Sequence, residues 1–182
     1  MADAQVKDWF GAKFGELHPL LQQMHLHGGQ LAGAVDIVIP GGLAGAFGRR
    51  LAKKLGVPAD GLPHQLQVDI SHHPDGLHWD RCFDGASYMR SVFRPVGTWP
   101  SGHWVEDTGP LEMVLTVDVR DGGWHWRCLA MRVFGLRLPL WLFPNSNAFK
   151  RVEAGRYRFY VGFSLPWLGT ILSYGGLLST SA

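Results

Sequence analysis

The residues best suited to chemistry in this chain lie close together, in the segment Leu77–Gly85. If this segment is a strand, Trp79, Arg81 and Phe83 share one face, because side chains alternate between the two faces of a strand. An arginine between two aromatic residues is either stacked at the surface or turned inward, where it needs a carboxylate. The pattern predicts a polar anchor on an otherwise aromatic strand face.

A second arginine in a similar setting and a possible carboxylate partner lie on the strands predicted to follow. Arg90 is flanked by Tyr88 and Val92, and Glu106 lies beside Trp104. An inward Arg–Glu pair among Trp and Tyr rings would anchor a ligand in an apolar cavity, although such a pair can also serve only to pin a sheet. The candidate ligand-binding residues are Trp79, Arg81, Phe83, Arg90, Trp104, Glu106 and Tyr174.

Other chemical signatures in the sequence are weak. None of the nine histidines has metal-ligand spacing, and His25 and His27 near a predicted helix end would point in different directions. Gly42, Gly45 and Gly48 follow a predicted strand, but their G-x-x-G-x-x-G spacing differs from the dinucleotide fingerprint. They predict a closely packed helix instead. We expect no metal site, although histidines from distant strands could still assemble one for zinc or haem, and neither catalytic residues nor a cofactor can be assigned.

Composition limits the class of protein. The 182 residues are 46% hydrophobic and 18% charged, with a net charge of +2, which excludes intrinsic disorder and argues against nucleic acid as a partner. The length predicts one domain over residues 1–182. With two cysteines, no signal peptide pattern and no long apolar run, we expect free thiols in a cytoplasmic protein.

The elements that must position the site divide the chain into two parts. Residues 3–56 are predicted to be mainly helical, with a first helix over Val6–Met24 that is interrupted at Pro19, a strand over Leu31–Ile39 and a second helix over Leu43–Leu55. Residues 64–178 carry short alternating segments with Gly, Pro and Asp turns, which is typical of antiparallel strands.

The sequence therefore predicts an α+β fold in which a curved, barrel-like antiparallel β-meander is covered by two N-terminal helical segments. A short helix is expected before Glu153, within the region that starts at Leu136. The strands of the meander are predicted at Gln65–Ser71, Leu77–Asp84, Tyr88–Arg94, Gly102–Glu106, Leu111–Arg120, Trp124–Val133, Arg156–Leu165 and Thr170–Leu177.

Several of these motifs, in this order, resemble a bacterial protein family called domain of unknown function 4166. The similarity covers nearly the whole chain and has no assigned activity attached to it. Its residues are the opening Phe14–His25, the pair Trp79–Gly85 and Arg90–Phe93, Glu106–Pro110, Gly135–Pro139, Leu142–Pro144, Leu165–Gly169 and Tyr174–Leu177.

The resemblance implies a link to redox enzymes, because family members often follow a saccharopine-dehydrogenase-like NAD(P)-binding domain. That domain is not expected here, so its cofactor motif is not carried over to Gly42–Gly48. We expect a module that binds a small apolar or amphipathic ligand and is accessory to an NAD(P)-dependent oxidoreductase. An alternative is an enzyme with an acid–base site of Arg81, Glu106 and Tyr174 that acts on a reductase product.

A third hypothesis is a module that binds a membrane surface or another protein. The basic residues Arg49, Arg50, Lys53 and Lys54 on the second predicted helix, together with Trp167, could lie against anionic lipid. A solvated helix face is the simpler explanation of the same charges.

Overall fold

Three helical segments open the chain in the computed structural model, which describes residues 4–109, 111–133, 135–140 and 145–180. They are Ala4–Phe10 (α1), a 3-10 helix at Gly11–Glu16 and Pro19–His27 (α2). Pro19 divides the helical region as expected, and Gly11, with φ of 56°, adds a second break that the sequence pattern did not indicate. The predicted single helix is therefore two short helices joined by a 3-10 turn.

The described residues also contain a third helix, Gly42–Leu55 (α3), between the first two strands. The strands are Gly29–Val38 (β1), His64–His73 (β2), Gly76–Phe83 (β3), Ser87–Val96 (β4), His103–Thr108 (β5), Leu111–Arg120 (β6), Gly123–Val133 (β7), Leu136–Leu138 (β8), Asn145–Glu153 (β9), Arg156–Leu165 (β10) and Gly169–Thr180 (β11).

Ten of these strands close into an antiparallel barrel. Each strand from β1 to β7 pairs with the next, β7 pairs with β9, and β9, β10 and β11 lead back to β1. Strand β8 pairs with the far end of β7, outside this ring. The predicted α+β class with a barrel-like meander is confirmed, and the closure leaves no long open edge in the ring.

The short helix predicted between residues 136 and 153 is wrong. Where a short helix was expected, Asn145–Glu153 is strand β9, which fills the gap between β7 and β10. Two neighbouring strands that each need a partner determine its conformation, and this requirement is not visible in the local sequence. Pro110 and the motif at 142–144 lie outside the described residues.

The helices cover the two ends of the barrel. At one end, Trp9 and Phe10 of α1 contact the rings of Trp104 and Trp124 from the strands. At the other end, α3 lies against β11, and a Cβ at Gly48 would stand 1.9 Å from the carbonyl oxygen of Ile171. The Gly42–Gly48 segment thus provides close helix packing, as predicted.

Candidate functional site

The candidate site is a cavity inside the barrel. Its volume is about 70 Å³, roughly half that of a ~150 Å³ engineered apolar cavity that binds benzene. Most of its lining is apolar and includes Leu66, Met113 and Phe163, while Leu55 of α3 closes one end. The polar side chains described next therefore lie in an environment that offers them little water.

Arg81 and Glu106 are joined through two hydroxyl groups. The guanidinium of Arg81 donates to Ser91 Oγ at 3.0 Å, Ser91 Oγ lies 3.0 Å from Thr108 Oγ1, and Thr108 Oγ1 donates to Glu106 Oε1 at 3.5 Å. The expected direct Arg–Glu ion pair is replaced by this relay in the described structure. Burial raises the pKa of Glu106, and the positive charge of Arg81 only partly offsets that effect.

Lys150 of β9 is a third ionisable group inside the barrel and is only 8% exposed. Its Nζ lies 3.7 Å from the ring centre of Trp79 and 5.0 Å from that of Trp124. Trp126 and Phe93 are also within cation–π distance, at 5.5 Å and 5.8 Å. We call Lys150 and these four rings the aromatic box.

His25 of α2 packs against the aromatic box from the helical side. It is fully buried, stacks on Trp124 with 4.4 Å between ring centres, and its Nε2 lies 3.3 Å from Lys150 Nζ. Burial and the adjacent positive charge of Lys150 lower the pKa of His25 well below its usual value. Burial and the charge of Arg81 likewise lower the pKa of Lys150.

Two buried donors at the cavity have no hydrogen-bond partner among the described residues. They are Nε1 of Trp79 and the hydroxyl of Tyr157, whose side chains are 4% and 1% exposed. Both residues line the cavity. Because buried polar groups are normally hydrogen-bonded, these two groups are available to donate hydrogen bonds to acceptor atoms of a bound molecule.

Four of the seven residues predicted from the sequence line the same cavity. They are Trp79 and Arg81 on β3, Glu106 on β5 and Tyr174 on β11. Burial raises the pKa of Tyr174 to about 12. This makes Tyr174 a poor acid–base group near neutral pH, although its ring forms part of the wall.

The other three predicted residues lie elsewhere. Phe83 and Trp104 are buried in the core but are not part of the cavity wall. The expectation that Arg90 points inward is wrong, because Arg90 lies on the outer face of β4 and pairs with Asp80 at 3.3 Å. The side chains of Arg81 and Arg90 lie on opposite faces of the sheet, which local flanking residues alone could not distinguish.

Sequence reasoning missed Lys150 and Tyr157 and gave His25 no role. The signal for Lys150 was present, because in a strand it shares a face with Ala148 and Val152, which makes it a charge on an apolar face. The expected helix in this region concealed that pattern. His25 points into the barrel and His27 is exposed, so the two imidazoles diverge as predicted.

The described residues contain no group of three or more His, Cys, Asp or Glu side chains that could hold a metal ion. Within the same ranges, no helix is long and apolar enough to cross a membrane. Cys82 and Cys128 are free thiols.

On the outer surface, the ring of Phe47 of α3 lies against the exposed ring of Trp167, with 6.1 Å between the ring centres. The membrane-surface hypothesis for this region stays a prediction.

The match to known proteins is to a family without an assigned activity. No curated protein matches this chain. A family model described as "Domain of unknown function (DUF4166)" matches residues 17–178, which agrees with the resemblance seen in the motifs. The matched range includes every residue of the cavity and of the aromatic box. The chain therefore belongs to the family of the domain of unknown function 4166.

Proposed function

We propose that this protein binds a small amphipathic carboxylate inside its barrel, with the carboxylate on Arg81. The observation that carries the proposal is a guanidinium that borders an apolar cavity and donates, among the described residues, only to Ser91. Arginine presents several N–H donors in a planar fork that matches a carboxylate. The remaining donors of Arg81 are therefore suited to an anionic ligand.

The balance of donors and acceptors in the cavity supports the same class of ligand. Arg81, Trp79 Nε1, the Tyr157 hydroxyl and Lys150 can each donate a hydrogen bond. Glu106 is the one carboxylate among the described lining residues, and Thr108 already donates to it. A ligand rich in acceptor oxygens would satisfy the unpartnered donors.

The wall and the volume limit the rest of the ligand. Toward α3 the cavity is bordered by Leu55, Leu66, Met89 and Leu111, so a short apolar chain would lie there. A volume of about 70 Å³ is far below the roughly 300–1,000 Å³ of sites for drug-sized ligands. We therefore expect a short-chain carboxylate. A place beside an NAD(P)-dependent oxidoreductase remains a proposal that depends on the family resemblance.

The test is a titration with straight-chain carboxylates of increasing length, followed by tryptophan fluorescence and by calorimetry. Trp79 lies beside Arg81 and should report occupancy of the cavity. We expect Arg81→Gln to weaken binding by about ten- to a hundredfold, because a hydrogen bond to a charged group contributes roughly 1.5–3 kcal/mol.

The matched control is Arg90→Gln, which removes an arginine from the outer face of the adjacent strand. It should bind the carboxylates like the wild-type protein. The uncharged alcohols and amides of the same chain lengths should bind weakly to every variant. Equal binding of carboxylates by the wild type and Arg81→Gln, in folded protein, would contradict the proposal.

A further inference from the structure

Binding of a carboxylate to Arg81 does not account for the position of Lys150. A primary amine with a side chain only 8% exposed lies in the wall of the cavity, on β9. Among the described residues, no carboxylate forms an ion pair with it, and its hydrogen-bond partner is the imidazole of His25. The four rings favour the ammonium form of Lys150, but burial and the positive charge of Arg81 outweigh them and lower the pKa of Lys150, which favours the neutral, nucleophilic amine.

The hydrogen bonds of His25 determine which atom of this pair donates. Nδ1 of His25 lies 2.7 Å from the carbonyl oxygen of Leu21, which can only accept, so Nδ1 carries the proton. In the neutral ring Nε2 is then an acceptor, and Lys150 donates to it at 3.3 Å. A neutral amine that donates through one N–H keeps its lone pair free to attack another atom.

The rings of the aromatic box and His25 hold the amine of Lys150 in place. Trp79 lies 3.7 Å from Nζ on one side and Trp124 lies 5.0 Å away, while His25 stacks on Trp124. Because Arg81 and Lys150 both line the cavity, the carbonyl carbon next to a carboxylate on Arg81 can face the amine, while the apolar chain of the ligand extends toward α3.

We propose that Lys150 forms an imine with the carbonyl group of a small aldehyde or oxo acid bound in the barrel. The inference rests on the proposed function where it assigns the carboxylate of an oxo acid to Arg81. It goes beyond that function in assigning a covalent step to Lys150. Among carboxylate ligands, it narrows the class to those that also carry a carbonyl group.

The step balances without an oxidant or a reductant. The Nζ lone pair attacks the carbonyl carbon, the C=O π electrons move to oxygen, and a proton passes from the amine to that oxygen with His25 Nε2 as the nearby base. A proton added to the hydroxyl group of the carbinolamine lets it leave as water while the nitrogen lone pair forms the C=N bond, and the resulting iminium returns its N–H proton to the group that supplied the first one. Amine and carbonyl compound give imine and one water. Glu106, in the same cavity, is a carboxyl group that can supply a proton to the leaving hydroxyl.

The experiment uses glyoxylate and propanal as probes with sodium cyanoborohydride, which reduces an imine to a stable secondary amine. Intact mass and peptide mapping then report which lysines are modified and how fast. We expect Lys150 to be labelled at least about tenfold faster than the exposed Lys54 of α3, since each unit of lowered pKa raises the neutral fraction about tenfold. Lys150→Arg should lose the fast phase and keep the slow labelling of surface lysines.

Peptide mapping of the labelled wild-type protein decides the imine proposal by itself, so the test does not depend on whether the Lys150 variants fold. If Lys150 is unlabelled, or is labelled no faster than Lys54, the imine is excluded and the amine is a structural cation of the aromatic box. Arg81→Gln separates the two proposals. If Lys150 in Arg81→Gln is labelled more slowly by glyoxylate but at the wild-type rate by propanal, both the carboxylate anchor and the imine are supported. If both probes label Lys150 in Arg81→Gln at the wild-type rate, the imine is supported and the carboxylate anchor is contradicted. Carboxylate binding without labelling leaves the anchor standing and overturns the imine.

Discussion

At the scale of single residues, hydroxyl groups and aromatic rings surround the ionisable side chains that point into this barrel. Ser91 and Thr108 connect Arg81 to Glu106, and rings surround Lys150. Buried ion pairs contribute little net stability after desolvation, and a relay of hydroxyl groups leaves the guanidinium with donors to spare. Arg81 is therefore free to bind a ligand, which a direct pair with Glu106 would hinder.

A different residue, His64 at the start of β2, should make stability depend on pH. Its ring nitrogens lie 2.5 Å from Asp84 Oδ2 and 2.8 Å from Asp60 Oδ1, so both N–H groups donate to carboxylates. Burial alone would lower the pKa of His64, but the two hydrogen bonds outweigh it and raise the pKa above the usual value. The stability contributed by this group is fully present below about pH 6.5 and is lost as the pH rises through the folded pKa.

We expect His64→Gln to lower the free energy of unfolding at pH 6 by on the order of 1 kcal/mol, because both carboxylates are half-exposed and screened. The difference from the wild type should shrink toward about pH 9. Urea unfolding across this range measures it, with His27→Gln as the control at an exposed position of α2. A difference that grows with pH would refute the assignment.

At the scale of elements, the packing of α3 on β11 depends on glycine. Gly48 faces the backbone of Ile171 so closely that a Cβ would stand 1.9 Å from its carbonyl oxygen, and Gly45 stands equally close to the carbonyl oxygen of Pro40. Helix α3 places Leu55 at the end of the cavity. Any shift of the helix along the sheet should therefore also change the apolar end of the site.

We expect Gly48→Ala to lower the free energy of unfolding by roughly 1–3 kcal/mol, because backbone atoms must move to admit the methyl group. Chemical denaturation measures the loss. Gly41→Ala is the control, since a Cβ there has no atom within 4 Å and the backbone has φ of −77°; it should change stability by less than about 0.5 kcal/mol. Similar effects of the two substitutions would show that α3 is not held this closely.

At the scale of the whole molecule, the N-terminal helices and the barrel share one core. Trp9 is 2% exposed, its ring lies 5.5 Å from that of Trp104, and its carbonyl oxygen accepts from Trp99 N at 2.7 Å. The backbone N–H of His18 also donates to Gly122 between β6 and β7. These contacts join the helical part to strand β5 and to the loops between β4 and β5 and between β6 and β7, which favours a single cooperative unit.

We expect Trp9→Ala to lower the free energy of unfolding of the entire chain by about 3–5 kcal/mol, as for other truncations of large buried rings. Circular dichroism and tryptophan fluorescence should then give coincident denaturation curves in both proteins. Trp167→Ala, at a residue that is 63% exposed, should cost much less. Separate transitions for helix and sheet would show that the predicted single domain is two folding units.

How much of the site could be predicted from the sequence depends on the strand that carries each residue. The alternation in β3 correctly placed Trp79 and Arg81 on one face, because side chains alternate along a strand, and the structure shows that this face points inward. Arg90 failed the same reasoning, since its flanking residues do not reveal which face is buried. Lys150 was missed because the local pattern suggested a helix.

By itself the sequence determined the antiparallel class, the interruption of the first helical region at Pro19 and the family, because these depend on local periodicity, turn residues and ordered motifs. Only the tertiary structure decided that the sheet closes, that Asn145–Glu153 is a strand, and that Arg81, Lys150 and His25 meet inside it. The physical reason is that barrel closure joins residues far apart in the chain. Lys150 Nζ and His25 Nε2 are separated by 125 positions in sequence and by 3.3 Å in space.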